Sequence, residues 1–133
     1  MSRQFPPECD KLVALMFTRE VKDRIQAELQ QAHAARESGN EGRARVCARR
    51  AAGIAVQAYF DHMQVPYPAG SKNALDFLTR LRGLDQAPAE IREIAGHLLT
   101  RVNPDYQLPI QADLLAETEV LVSRIEALIQ ERR

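Results

Sequence analysis

Apolar residues recur along most of this chain at the three- and four-residue intervals of a helix packed on one face. Val13, Phe17, Val21, Ile25 and Leu29 return every four positions, which predicts a long first helix from about Lys11 to about Ala35. Asp10 is placed to cap it, after an extended lead-in over residues 1–9 that contains Phe5-Pro6-Pro7. Glu37 to Gly42, ESGNEG, gathers residues that break and cap helices, so the chain turns there and the next helix runs back antiparallel. That helix, RARVCARRAAGIAVQAYFDH from Arg43 to His62, is the centre of the predicted fold. Ala44, Cys47, Ala48, Ala51, Ile54, Ala55, Ala58 and Tyr59 fall on one arc of it, apolar and mostly small, which lets neighbours approach to about 8 Å. Val56 and Phe60 make its second half apolar nearly all round.

The later pattern keeps the helical spacing and is more punctuated. Gln64 to Gly70, QVPYPAG, is a loop. Ser71 is the expected cap of a third helix marked by Ala74, Phe77, Leu78 and Leu81, with Gly83 ending it in a left-handed conformation. Pro88 opens a fourth helix whose inward face is Ile91, Ala95, Leu98 and Val102, stopped by Asn103-Pro104. After a second loop from Asp105 to Gln111, Leu114, Leu121, Ile125 and Leu128 stripe a long last helix from about Ala112 to Gln130. No segment alternates as a strand does. These five segments predict an all-α, mainly antiparallel bundle with residues 1–133 as a single domain.

Charge and cysteine content narrow the chemistry. Eighteen basic residues balance 18 acidic ones in the 133-residue chain, which argues against wholesale nucleic-acid or membrane binding and makes self-association easier. Cys9 and Cys47 lack metal-type spacing, and Cys47 lies on the packed arc as a small hydrophobe, so a reducing, cytoplasmic setting is expected. No run approaches the length of a membrane span. The absence of tryptophan weakens any proposal of a stacking platform for single-stranded nucleic acid.

Three stretches between Leu29 and Ile129 together resemble the HEPN (higher eukaryote and prokaryote nucleotide-binding) domain family. They are the turn at Ser38-Gly39-Asn40 into RVCARRAAGIAVQAYF, the following NALDFLTRL, and HLLTRVNPDYQLP running into ADLLAETEVLVSRIEALI. The last resembles the family's form, in which an arginine ends one helix, a proline-containing polar turn follows and an acidic residue begins the terminal helix. The resemblance implies an up-and-down bundle of four helices with a short fifth, a homodimer, and a partner such as a small nucleotidyltransferase. No cofactor is expected. On this reading Arg101, Asp105 and Tyr106 in the polar turn, with Arg43 and Arg50 on the central helix, bind a nucleotide or RNA.

Other members of that family are toxin-like, metal-independent ribonucleases with an arginine followed by a histidine after four to six residues. The formal match here is Arg92 and His97, with the imidazole as general base and the guanidinium on the phosphate. Five positions turn about 140° along a helix, so the two side chains do not share a face. The match also precedes the loop, so a non-catalytic binding or protein-interaction module is the preferred expectation. Arg43, Arg45, Arg49 and Arg50 divide between the two edges of the apolar arc. A solvated face, or pairing with Glu117, Glu119 and Glu126 on the last helix, is their commoner use. Tyr59, Tyr67 and Tyr106 have interior or loop packing as their ordinary role. Glu20, Asp23 and Glu28 lack a histidine at ligand spacing, and no metal is expected.

Overall fold

The computed structural model describes residues 18–68, 70, 73–100 and 113–131. Among these, the regular elements are five helices: α1 (Arg19–Glu37), α2 (Glu41–Met63), α3 (Ala74–Arg82), α4 (Ala89–Leu98) and α5 (Leu114–Glu131). The molecule is an all-helical bundle, with α1, α2 and α5 long and α3 and α4 short. Its centre is α2, which packs against α1, α3 and α5, while α4 lies against α3 and α5.

The α1–α2 hairpin follows from three residues. Gly39 sits at φ +84°, the left-handed position that a stop of this kind requires. Its N–H bonds Arg36 O at 3.0 Å, and the Asn40 N–H bonds Ala35 O at 2.8 Å. Asn40 then starts the next helix, its side-chain oxygen accepting from the Arg43 N–H at 3.0 Å. One short turn thus closes α1 and opens α2 in the reverse direction, as the cluster of breakers predicts.

Four local expectations are corrected by the chain's own capping. The first helix does not run unbroken from Lys11, because Thr18 is extended (ψ 160°) and its hydroxyl accepts from the Val21 N–H at 3.2 Å. The cap at Asp10 and the apolar positions Val13 and Phe17 lie outside the described residues. Asn73, not Ser71, caps α3 through the Asp76 N–H at 3.0 Å. Gly83 ends α3 at φ −91°, not left-handed, with its N–H turned back to Thr79 O. The fourth helix ends at Leu98 instead of continuing to Val102. There Arg49 donates to Leu98 O at 2.7 Å and to Thr100 O at 3.1 Å, satisfying carbonyls that another helical turn would otherwise have used.

The core is the arc of α2 extended on both sides. Ala44, Cys47, Ala48, Ala51, Ala55 and Tyr59 are buried, with Ile54 and Ala58 at the margin, and Ala52, Gly53, Val56 and Phe60 are buried as well. Onto this surface α1 lays Ile25 and Leu29, and α5 lays Leu121, Ile125 and Ile129. Gly53 is the closest point of approach: a Cβ built there would stand 2.7 Å from Ala74 Cα and 2.8 Å from Ala74 Cβ. The first turn of α3 therefore rests directly on the α2 backbone.

Arg36 ties three helix ends together. Its guanidinium donates to both carboxylate oxygens of Glu41, at 3.2 and 2.6 Å, and to both of Asp113, at 3.1 and 3.0 Å. Asp113 in turn caps α5 by accepting from the Ala116 N–H at 3.1 Å. Hydrogen bonding to Arg36 is the main cause that holds both carboxyls below their usual range, and the bonds to Glu41 and Asp113 raise the guanidinium. A carboxyl lowered in the folded state contributes stability above its unfolded pKa and loses it as pH falls through the folded value. With side chains 35%, 44% and 51% exposed, each pair stays within the range of a surface bridge, under about 1 kcal/mol. Arg36→Gln should therefore lower the melting temperature by a few degrees at pH 7, and the gap from the unmodified protein should close below about pH 4. A gap that stays constant down to pH 3 would remove the ion pairs as its cause.

Candidate functional site

The basic half of α2 is divided by the fold. Arg49 is drawn inward to the end of α4, and burial, followed by the nearby charge of Arg45, lowers its pKa. Arg43 reaches back to α1, donating to Gln31 Oε1 at 3.3 Å. Arg50 stays exposed. The expected pairing of these arginines with the last helix does not occur among the described residues. Glu117 takes His97 at 2.7 Å, Glu119 takes His33 at 2.9 Å and Glu126 takes Lys22 at 3.5 Å. Those glutamates lie on the flanks of α5 that face α4 and α1, so they bind the neighbours on those helices.

Arg50 opens instead onto a cavity of about 260 Å³ between α1, α2 and the start of α3. Arg24 and Glu28 enter it from α1, one turn apart; Arg50 and Gln57 enter from α2; Asn73 enters from the α3 cap. Ile54, Ala74 and Phe77 supply its apolar wall. Gly53, where α3 meets α2, forms part of its wall. Gln57 is oriented by the loop, donating to the Tyr67 hydroxyl at 3.4 Å, and Tyr67 donates to Asp61 at 2.7 Å. That bond to Asp61 is the main reason the Tyr67 pKa is raised.

The electrostatics of the cavity are unbalanced. Neither Arg24 nor Arg50 forms a hydrogen bond or ion pair with another described residue, while Glu28 Oε1 is buried and has no partner there. Two guanidinium groups, whose forked donors match phosphate oxygens, thus share a small space with one unsatisfied carboxylate oxygen. A second concavity, a groove of about 820 Å³, lies on the other side of Arg50. Val46 and Leu75, 41% and 49% exposed, line it with Leu99.

The remaining candidates are scattered. Arg92 and His97 both lie on α4, but no hydrogen bond joins them; Arg92 Nε is buried without a partner among the described residues. His97 is held through Nδ1 by Glu117 at 2.7 Å, with Glu93 at 3.9 Å from Nε2. Tyr59 is buried in the core, which raises its pKa. Arg101, Asp105 and Tyr106 lie outside the described residues. Among those described, no three histidine, cysteine or acidic side chains converge as metal ligands, and no helix is long and apolar enough to cross a membrane.

The sequence pattern does not single out Arg24, Gln57 or Asn73 as site residues, and there Glu28 is considered only as a metal ligand. One signal was present: Arg24 and Glu28 are four apart, so they share a face of α1. Another was a glycine within an alanine-rich helix, which often marks a close approach.

The cavity and the bundle define a helical protein with a polar ligand-sized recess beside its basic helix. No family model, curated protein or solved structure matches the chain.

Proposed function

We propose that this chain is a non-catalytic, HEPN-like binding module that takes a nucleotide in the cavity between α1, α2 and α3. The carrying observation is the pair of guanidinium groups, Arg24 and Arg50, opening together into one recess beside an unsatisfied acceptor. Phosphate is the anion that forked donors on two sides of a small cavity suit best. The family resemblance between Leu29 and Ile129 supports the same reading. In it the protein is a cytoplasmic homodimer and acts as the binding half of a pair with a nucleotidyltransferase.

Binding is favoured over ribonuclease chemistry because Arg92 does not join His97, whose Nδ1 is bonded to Glu117. The apolar groove at Val46 and Leu75 supports a purely protein-binding bundle as the alternative. Titration with nucleotide separates the two. Arg50→Ala should weaken mononucleotide binding by roughly tenfold or more, the worth of a charge-assisted contact to phosphate, with an unchanged melting temperature because Arg50 is exposed. If the unmodified protein binds no nucleotide, the protein-binding alternative replaces this reading.

A further inference from the structure

Glu28 imposes a requirement that the two arginines do not. Its Oε1 is out of water and has no donor among the described residues. A buried acceptor left unmatched is costly, and more so when it is charged. That oxygen is closed to water, but Glu28 lines the cavity, so its carboxylate must turn to meet a donor there, and a ligand bringing only negative charge to Arg24 and Arg50 would add repulsion against it. The complement is a molecule with an anion at one end and a hydrogen-bond donor at the other.

Size sets the distance between those ends. A volume of 260 Å³ corresponds to about 8 Å across, a little below the usual range of ligand sites, and the recess is open on one side. Ordinary bond lengths place the 2′- and 3′-hydroxyls of a ribose 5′-phosphate roughly 6 Å from phosphorus, so both ends fit. An exocyclic base amine lies roughly 10 Å or more from phosphorus and does not. Carboxylates accept from ribose hydroxyls in other nucleotide sites for the same reason of charge-assisted hydrogen bonding. We infer that the cavity holds the ribose phosphate half of a nucleotide, with phosphate on Arg24 and Arg50 and the sugar hydroxyls donating to Glu28. The base then lies at the mouth. This assignment rests on the nucleotide reading above and adds to it that recognition is sugar-specific and base-tolerant.

Calorimetric titration of the full chain tests it with AMP, UMP, ribose 5-phosphate and 2′,3′-dideoxyadenosine monophosphate. AMP, UMP and ribose 5-phosphate should bind within about threefold of one another, and the dideoxy compound roughly tenfold or more weaker. Glu28→Ala should weaken AMP but not the dideoxy compound, erasing that ratio, and Arg50→Ala should weaken all four. The ratio in the unmodified protein decides the matter even if a variant folds poorly. Equal binding of AMP and its dideoxy analogue, with Arg50→Ala still disruptive, would overturn the ribose assignment and leave the nucleotide reading standing. AMP binding without ribose 5-phosphate binding would overturn it in favour of base recognition. If none of the four binds, both readings fall.

Discussion

Phe60→Ala is expected to destabilise the protein by about 3–5 kcal/mol, the cost of removing a buried aromatic ring and leaving a cavity behind. Phe60 is fully buried on α2 and stands at the centre of an aromatic cluster, with ring centroids 6.1 Å from Tyr59, 6.0 Å from Tyr67 and 6.4 Å from Phe77. Those rings come from α2, the following loop and α3, so the residue joins three consecutive pieces of chain. Tyr67 and Phe77 also meet edge to face at 5.1 Å, an arrangement worth about 0.5–1.5 kcal/mol beyond buried area, and they would lose their shared backing. Against a typical total of about 5–15 kcal/mol, the loss is large. Thermal unfolding should drop by roughly 10–20 °C, while Phe60→Leu, which keeps most of the volume, should cost under about 1.5 kcal/mol. A drop of only a few degrees for the alanine variant would mean that the cluster does not hold the loop and α3 to α2.

That cluster was legible in part. Phe60 and Phe77 fall at core positions of periodic segments, and so do Ile25, Leu29, Leu121 and Ile125, because burial on one helix face leaves a repeat that a single sequence carries. The repeat reports faces and not ends. Val13, Phe17 and Val21 keep their spacing straight through Thr18, yet the Thr18 hydroxyl binds the Val21 N–H and begins α1 there. Val102 continues the stripe of α4, yet the helix ends at Leu98 because a guanidinium 49 residues away takes its carbonyl. The Ser38-Gly39-Asn40 turn was fully readable, since every bond that shapes it is local.

The candidate site was much less readable, for the same physical reason. Its polar groups come from Arg24 and Glu28, from Arg50 and Gln57, and from Asn73, and no period links those positions. Glu28 reads as one of several solvated acids on the first helix, alongside Glu20 and Asp23. In the folded chain one of its oxygens is withdrawn from water. Pairing of the α5 glutamates with the α2 arginines, one of two ordinary uses expected beside a solvated face, rested on charge alone. Direction decided otherwise: Glu117 and Glu119 stand two residues apart, about 200° around the helix, and so reach His97 on α4 and His33 on α1.

Gly53 connects stability to the site, and its replacement is the second large effect expected. In an ordinary helix interior, Gly→Ala stabilises by up to about 1 kcal/mol, because alanine has less backbone freedom to lose on folding. Gly42, in the first turn of the same helix, should show a smaller gain of the same sign, since a Cβ there meets only Asn40 Oδ1 at 3.8 Å. At Gly53 the sign should reverse. The new methyl would stand 2.7 Å from Ala74 Cα, which belongs to backbone and cannot rotate aside, so α3 must move as a unit. Overpacking of this kind costs about 1–3 kcal/mol, and Gly53→Val, with two further methyl groups, should approach the upper end or exceed it. Ala74→Gly should rescue Gly53→Ala only in part, because it removes the methyl group at 2.8 Å and leaves the backbone carbon at 2.7 Å where it was. Displacing α3 also shifts Asn73 and Ala74, two walls of the cavity, so nucleotide affinity should fall in the Gly53 variants but not in Gly42→Ala. Melting curves for the two alanine variants decide the point: shifts of the same sign would show that α3 is not seated on the α2 backbone.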